Sequence, residues 1–196
     1  MDYQKIGTLL LTLRKEQGLT QRQLAERIHV SDKTVSKWER GLGCPDVSLL
    51  HDLSQALGVN LETLLSGSLA PNRKDGGNMK RIKFYVCPIC GNILTATGAS
   101  ELSCCGRKLA ALEPKPAEAP HQVTIEPVED DFYITFDHPM TKEHYWNFVA
   151  CVNWDRVLLV RLYPEQGGEV RIPRIPGGKL YFCCNQHGLF VLNKMR

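Results

Sequence analysis

Seven of the eight cysteines in this 196-residue chain fall after residue 86, and four of them form two tight pairs, Cys87-Pro88-Ile89-Cys90 and Cys104-Cys105. Thiols at that density either staple a secreted domain with disulfides or hold a metal. The start, Met1-Asp2-Tyr3-Gln4-Lys5, has no basic stretch ahead of a long apolar one, and Leu9-Leu10-Leu11 is short and flanked by threonines. Export by a signal peptide is therefore not expected, and a reducing, cytoplasmic location is. No apolar run approaches the ~20 residues that span a bilayer, so no membrane partner is expected. In a reducing compartment the pairs read as metal ligands. The two-residue gap between Cys87 and Cys90 lets both sulfurs face one ion, and Gly91 permits the turn that aims backbone N–H groups at sulfur. With Cys104 and Cys105 they make a tetrahedral sulfur site suited to zinc or a single iron.

The front of the chain has a different character. Only Cys44 lies there, and residues 1–66 read as five short helices. Ile6, Leu9, Leu10 and Leu13 recur at helical spacing up to Gly18. Thr20 with Gln23 predicts a capping box for a second helix through Ile28. Ser31 or Asp32 caps a third, Asp32 to Arg40, with Val35 and Trp38 inward. Pro45-Asp46 opens a fourth, running through Leu53 and Leu57 to Gly58, and Leu61, Leu64 and Leu65 mark a fifth.

Leu19-Thr20-Gln21-Arg22-Gln23-Leu24-Ala25, followed by Val30-Ser31-Asp32-Lys33-Thr34-Val35-Ser36-Lys37-Trp38-Glu39-Arg40-Gly41, resembles the phage-repressor, Cro/Xre-type helix-turn-helix. A short helix with a polar outer face fits a major groove while its apolar face locks onto the preceding helix. The resemblance implies that Asp32, Lys33, Ser36 and Lys37 face base edges of double-stranded DNA, with Gln21, Thr34 and Arg40 toward phosphate. Residues 1–66 carry eight cations and eight carboxylates. With no net charge to attract DNA, useful affinity needs a homodimer on two half-sites. The positive excess sits instead in residues 67–83, with five cations against one carboxylate.

Four segments follow from this pattern: a DNA-binding domain at 1–66, a polar, Gly-rich flexible linker at 67–80, a cysteine module at 81–113 and a β domain at 114–196. A strand from Arg81 to Val86 delivers Cys87. The adjacent Cys104-Cys105 pair resembles desulforedoxin, the small rubredoxin-like iron module. A segment so short has little core and needs its ion to fold. Beyond the Pro/Ala connector at 113–120, apolar residues alternate at Val123/Ile125, Phe132/Ile134/Phe136, Phe148/Ala150/Val152, Val157/Leu159, Val170/Ile172 and Leu180/Phe182. About seven short strands point to an immunoglobulin-like antiparallel sandwich. The fold class expected is thus multi-domain, all-helical in front and β behind.

Four histidines, His121, His138, His144 and His187, fall at strand ends beside Pro or Gly rather than in strand interiors, together with Cys184. Such a set favours a metal over core packing. Cys-Pro-Ile-Cys-Gly-Asn, Cys-Cys-Gly, His-Pro-Met-Thr-Lys-Glu-His-Tyr and Cys-Asn-Gln-His-Gly, in that order, are similar to desulfoferrodoxin, the two-iron superoxide reductase. The resemblance implies a mononuclear non-haem iron with His121, His138, His144 and His187 equatorial, Cys184 axial and the sixth position open. Superoxide then takes one electron and two protons and leaves as hydrogen peroxide, and a rubredoxin-type protein supplies electrons. Neutral nitrogens keep the complex cationic, and the thiolate pushes electron density toward the metal. Cys44, Cys151 and Cys183 match no ligand position. The family commonly has Glu-Lys before its first histidine, where this chain has Ala119-Pro120; Lys115 or Lys142 stands in for that lysine. Two functions follow: a superoxide reductase attached to a DNA-binding domain, or a redox-sensing regulator whose iron state changes DNA binding.

Overall fold

In the computed structural model, residues 2–74, 76–118 and 121–192 are described, and the chain divides into two compact units, 1–71 and 72–196. The first unit holds five α-helices: α1 (Tyr3–Glu16), α2 (Gln21–Arg27), α3 (Asp32–Glu39), α4 (Leu50–Leu57) and α5 (Leu61–Ser66). Thr20 caps α2 with the reciprocal box expected, its side chain accepting from Gln23 N while Gln23 caps back. Ser31 caps α3, and Gly58 closes α4 in the left-handed conformation. The fourth helix differs from expectation at its start: Val47–Leu49 form a 3-10 turn capped by Asp46, and the α-helix proper begins at Leu50. Asp46 bonds both Ser48 N and Ser48 Oγ, which tightens this turn.

Ile6, Leu10, Leu13, Leu24, Ile28, Val35, Trp38, Leu53, Leu57 and Leu64 close the core of this unit. Gly7 sits where α1 meets α3, and a β carbon there would overlap the Trp38 carbonyl oxygen. A buried ion pair crosses the same contact. Arg14 Nε donates to Glu39 Oε1 (2.5 Å), Nη2 to Oε2 (3.0 Å) and Nη1 to Leu19 O (2.6 Å). The hydrogen bond to Glu39 is the main reason that the Arg14 pKa rises above its usual value.

The second unit is β throughout, apart from a 3-10 turn at Met79–Arg81. That turn takes Arg81 out of the strand expected from Arg81 onward. One hairpin pairs β1 (Lys83–Val86) with β2 (Ile93–Ala96), and another pairs β3 (Leu102–Cys104) with β4 (Arg107–Leu109). β5 (Lys115–Pro116) is two residues long. The rest are β6 (Val123–Val128), β7 (Asp131–Phe136), β8 (Trp146–Val152), β9 (Val157–Arg161), β10 (Glu169–Pro173), β11 (Lys179–Cys184) and β12 (Gly188–Leu192). They form a three-stranded sheet, β10-β7-β6, and a five-stranded sheet, β5-β12-β11-β8-β9. Each alternating pair read from the sequence lies on a strand. β5 lies within the Pro/Ala connector, and it joins β12 in parallel, the one departure from antiparallel pairing among the described strands.

The five-stranded sheet is buried on both faces, so β8 is buried at all seven positions. Trp146, Val149, Leu180, Phe182 and Cys184 face the three-stranded sheet, packing with Phe132, Ile134 and Ile172. Phe148, Ala150, Tyr181 and Cys183 face the other way, packing with Phe84 of β1. Strict alternation would send Trp146 and Phe148 to one face. The register shift between Cys183 and Cys184 leaves Asn147 as an extra residue, and this bulge turns Trp146 to the opposite side.

Candidate metal centres and DNA-facing helix

The bulge sets the geometry of the larger cluster. Cys184, at the end of β11, pairs with Gly188 at the start of β12, and Asn185-Gln186-His187 form a three-residue loop between them. Gly188 closes the loop at φ 86°, a left-handed conformation suited to glycine. The loop brings His187 Nδ1 within 3.4 Å of Cys184 Sγ, and Gln186 N donates to the same sulfur (3.4 Å). His121, entering β6, puts its Nε2 3.1 Å from His187 Nδ1. His138 leaves β7, and His144 precedes β8. Ligand atoms of His121, His138, His144, Cys184 and His187 all lie within 4.8 Å of one another.

Neighbouring groups orient these rings. His138 Nδ1 lies 2.7 Å from Pro139 O, and because a carbonyl only accepts, Nδ1 carries the proton and Nε2 presents its lone pair. The His138 ring stacks on Trp146 (4.2 Å between centroids), and the His121 ring stacks on Phe190 (4.3 Å). Burial lowers the pKa of His138 to about 4 and lowers that of His121 as well, so both are neutral near pH 7. Burial raises the Cys184 thiol, against N–H bonds from Gln186 and His187.

The donor set fits a metal. Nitrogen bonds of about 2.1 Å and a sulfur bond of about 2.3 Å separate neighbouring donors by about 3 Å and opposite ones by about 4.2 Å. The 3.1 and 3.4 Å approaches and the 4.8 Å limit match that spread. His138 Nε2 and His144 Nε2 are buried without a hydrogen-bond partner, a cost of about 1–3 kcal/mol each that a metal bond removes.

Sequence reasoning missed the residues that hold the loops in place. Asn185 Oδ1 accepts from Tyr145 N (3.0 Å), while Asn185 Nδ2 and Gln186 Nε2 donate to Glu143 O (2.9 and 2.8 Å). They tie the Cys184–His187 loop to the segment carrying His144. Their position between Cys184 and His187 was the only signal available. Lys115 Nζ reaches His187 O (3.4 Å), whereas Lys142 pairs with Glu165 at 3.8 Å. The Ala119-Pro120 pair lies outside the described residues.

The second cluster joins Cys87, Cys90, Cys104 and Cys105, again within 4.8 Å. Cys105 and Gly106 both have positive φ, 50° and 73°, between paired Cys104 and Arg107. This is the two-residue hairpin turn of mirrored type, and it lets adjacent cysteines aim at one point. Tetrahedral sulfur bonds of about 2.3 Å imply sulfur separations of about 3.8 Å. Cys90 and Cys104 sulfurs are 3.5 Å apart, and those of Cys104 and Cys105 are 4.0 Å apart. N–H groups of Cys90 and Ile89 lower the Cys87 pKa to about 6, while the surrounding thiols push Cys105 up to about 12. Arg161 of β9 donates to Gly91 O (2.6 Å), bracing the Cys87–Cys90 turn against the sheet.

In the first unit a shallow depression of about 580 Å³ on α3 is lined by all seven residues read as DNA-facing: Gln21, Asp32, Lys33, Thr34, Ser36, Lys37 and Arg40. Gln21 is partly committed, since its amide donates to Glu39 Oε2 (2.7 Å), and Arg40 Nε donates to Ser36 O (3.1 Å). Asp32, Lys33 and Lys37 are exposed.

The arrangement is that of a helix-turn-helix regulator extended by a β-rich metal-binding region, and the comparisons with known proteins agree. The helix-turn-helix family HTH_3 matches residues 10–64. The uncharacterized HTH-type transcriptional regulator y4dJ of Sinorhizobium fredii is 43% identical over 61 residues, covering 31% of this chain and 79% of that protein. The chain belongs to this family of HTH-type transcriptional regulators. Its remainder is similar to desulfoferrodoxin: the Syntrophotalea carbinolica protein is 29% identical over 120 residues, covering 57% of this chain and 95% of its own. The HTH-type transcriptional activator BcrR of Enterococcus faecalis is 38% identical over 80 residues, and the match spans only 39% of that protein. Among the described residues, no helix is long and apolar enough to cross a membrane.

Proposed function

We propose that the chain is an iron-dependent superoxide reductase attached to a sequence-specific DNA-binding domain, with residues 1–66 reading DNA as a homodimer and residues 114–196 carrying the reaction. The observation that carries this reading is the convergence of four imidazoles and one thiol within 4.8 Å, with two buried nitrogens left unpartnered. His121, His138, His144 and His187 would hold iron with Cys184, and Cys87, Cys90, Cys104 and Cys105 would hold a second iron or zinc. When bound, the first iron supplies one electron to superoxide, which with two protons gives hydrogen peroxide. The chain's own part is to keep the His121 and His138 imidazoles neutral through burial, fix the His138 proton on Nδ1, and shield Cys184 behind Trp146 and Phe182. Lys115, exposed beside His187, is the cation nearest this role for attracting an anion, and Lys142 is held toward Glu165. A rubredoxin-type donor restores the electron.

Metal analysis followed by a superoxide pulse on the reduced full chain tests this. One iron per His4Cys site and one hydrogen peroxide per superoxide consumed are expected, with Cys184→Ser abolishing the sulfur-to-metal absorption band of that site while sparing DNA binding. Zinc in that site, or no peroxide above the spontaneous rate, refutes it. A second reading draws on Ala119-Pro120, which stand where the family commonly has Glu-Lys: a sensor whose iron state alters DNA affinity without turnover. Equal DNA affinities for oxidised and reduced protein remove that one.

A further inference from the structure

Away from both clusters, the second unit carries an open groove of about 790 Å³ whose lining includes Asn72, Arg73, Arg81, Lys83, Thr97 and Ser100. Among the described residues, no carboxylate lines it. Arg73, Arg81 and Lys83 are exposed, and none has an acidic partner among the described residues. The segment bearing these cations is held in place at two points. Asn72 Nδ2 donates to Ala99 O (2.6 Å), and Met79 N donates to Trp154 O (2.8 Å). Three exposed cations with no acidic partner among the described residues, beside hydroxyl donors, suit an anion with several charges in a row.

We propose that this groove is a second contact to the phosphate backbone of duplex DNA. The inference rests on the DNA-binding reading of the first unit and extends it. Two observations choose DNA as the occupant. Residues 1–66 carry no net charge, so the backbone attraction that α3 lacks is supplied by residues 67–83, with five cations and one carboxylate. Asn72, the first residue of the second unit, lines the groove, so the groove follows the DNA-reading unit directly in sequence. The groove lies at the Lys83–Ala96 end of the β1–β2 ladder, three residue pairs from Val86–Ile93, which adjoins Cys87. That is about 10 Å along the strand from the start of the thiol cluster.

The test is the salt dependence of binding, measured by anisotropy with the full chain and a labelled mixed-sequence duplex of about 40 bp. Each phosphate contact contributes about 0.9 to the slope of log affinity against log salt. The variant R73Q/R81Q/K83Q should therefore have a slope shallower by about 2–3 for each protomer bound. Between about 50 and about 200 mM salt, it loses roughly 40-fold less affinity than wild type per bound protomer. The charge-preserving R73K/R81K should keep the wild-type slope, and unchanged metal content and helix signal certify folding of both. Slopes equal within about 0.5 overturn the proposal. If K33A/K37A abolishes binding while the groove variant keeps the wild-type slope, only the groove fails; a wild-type chain that binds no DNA fails the underlying reading as well. An unchanged slope combined with slower reduction of the sulfur-held metal by rubredoxin overturns the proposal and gives the groove to an acidic protein.

Discussion

Glu39→Ala removes one half of the ion pair that fixes α3 against α1. Its side chain is 3% exposed and that of Arg14 is 10% exposed, so the guanidinium is left in the core without its counter-charge. Two of the three Arg14 hydrogen bonds vanish, and so does the partner of the Gln21 amide. Breaking a buried pair from one side costs about 3–5 kcal/mol, because the remaining charge stays desolvated. A helical unit of this size has a stability near the low end of about 5–15 kcal/mol, so the variant should stand close to its folding threshold. Among the described residues every α-helix lies in the first unit, so ellipticity at 222 nm in a urea titration of the full chain reports this unit. With a urea slope of about 1 kcal/mol per molar, the midpoint should fall by about 3 M or more. The double variant Arg14→Met/Glu39→Leu removes both charges and should recover to within about 1–2 kcal/mol of wild type. A loss below about 1 kcal/mol for Glu39→Ala, or a double variant as weak as the single, would refute the reasoning.

Two further outcomes follow from the second unit. The folded-state pKa of His138, lowered from 6.5 to about 4, means that the unfolded chain takes up this proton first as pH falls. In metal-free protein the stability from neutral His138 is complete above pH 6.5 and is lost as pH falls toward 4, about 2 kcal/mol of it by pH 5, and His138→Gln should flatten that slope in acid denaturation. Arg161→Ala deletes the charged hydrogen bond to Gly91 O and should weaken metal retention at the four-cysteine site by about 10–100-fold in chelator competition, with retention equal to wild type counting against a bracing role.

What the sequence carried was local chemistry. The Thr20–Gln23 box and the Gly58 stop are set by local residues and form as read, and of the two caps open for α3, Ser31 is the one that forms. All nine metal-seeking side chains lie in two clusters because types and turn residues mark loop ends even where the partner strand is unknown. Asn147 was invisible for the opposite reason. Trp146-Asn147-Phe148 has no signature of a bulge, and the extra residue is imposed by the pairing of Trp146 with Cys184 across the sheet. Arg161 on Gly91 and Asn185 on Glu143 and Tyr145 join residues about 40 to 70 positions apart, beyond any periodicity. The two-residue β5 fell inside a Pro/Ala stretch, where Pro116 conceals a strand by propensity alone.

The double-faced sheet changes how the four-cysteine module must be understood. From length alone, residues 81–113 have too little core to fold without an ion. A lone two-stranded hairpin such as β1–β2 is marginal in water. Yet Phe84 of β1 is 1% exposed, with its ring 5.2 Å from Phe148 and 5.5 Å from Tyr181 on the second face of the five-stranded sheet. Burying a phenylalanine contributes about 1.5–3 kcal/mol, and Leu112 N bonds Phe84 O from the far side of the module. The sheet therefore supplies the core that the module lacks. A metal bound there would have a narrower task, to hold four sulfurs together, since the two-residue turn already places Cys105 at φ 50°. On β11, Cys184 faces the imidazole cluster and Cys183 the module, so one strand carries the support of both centres.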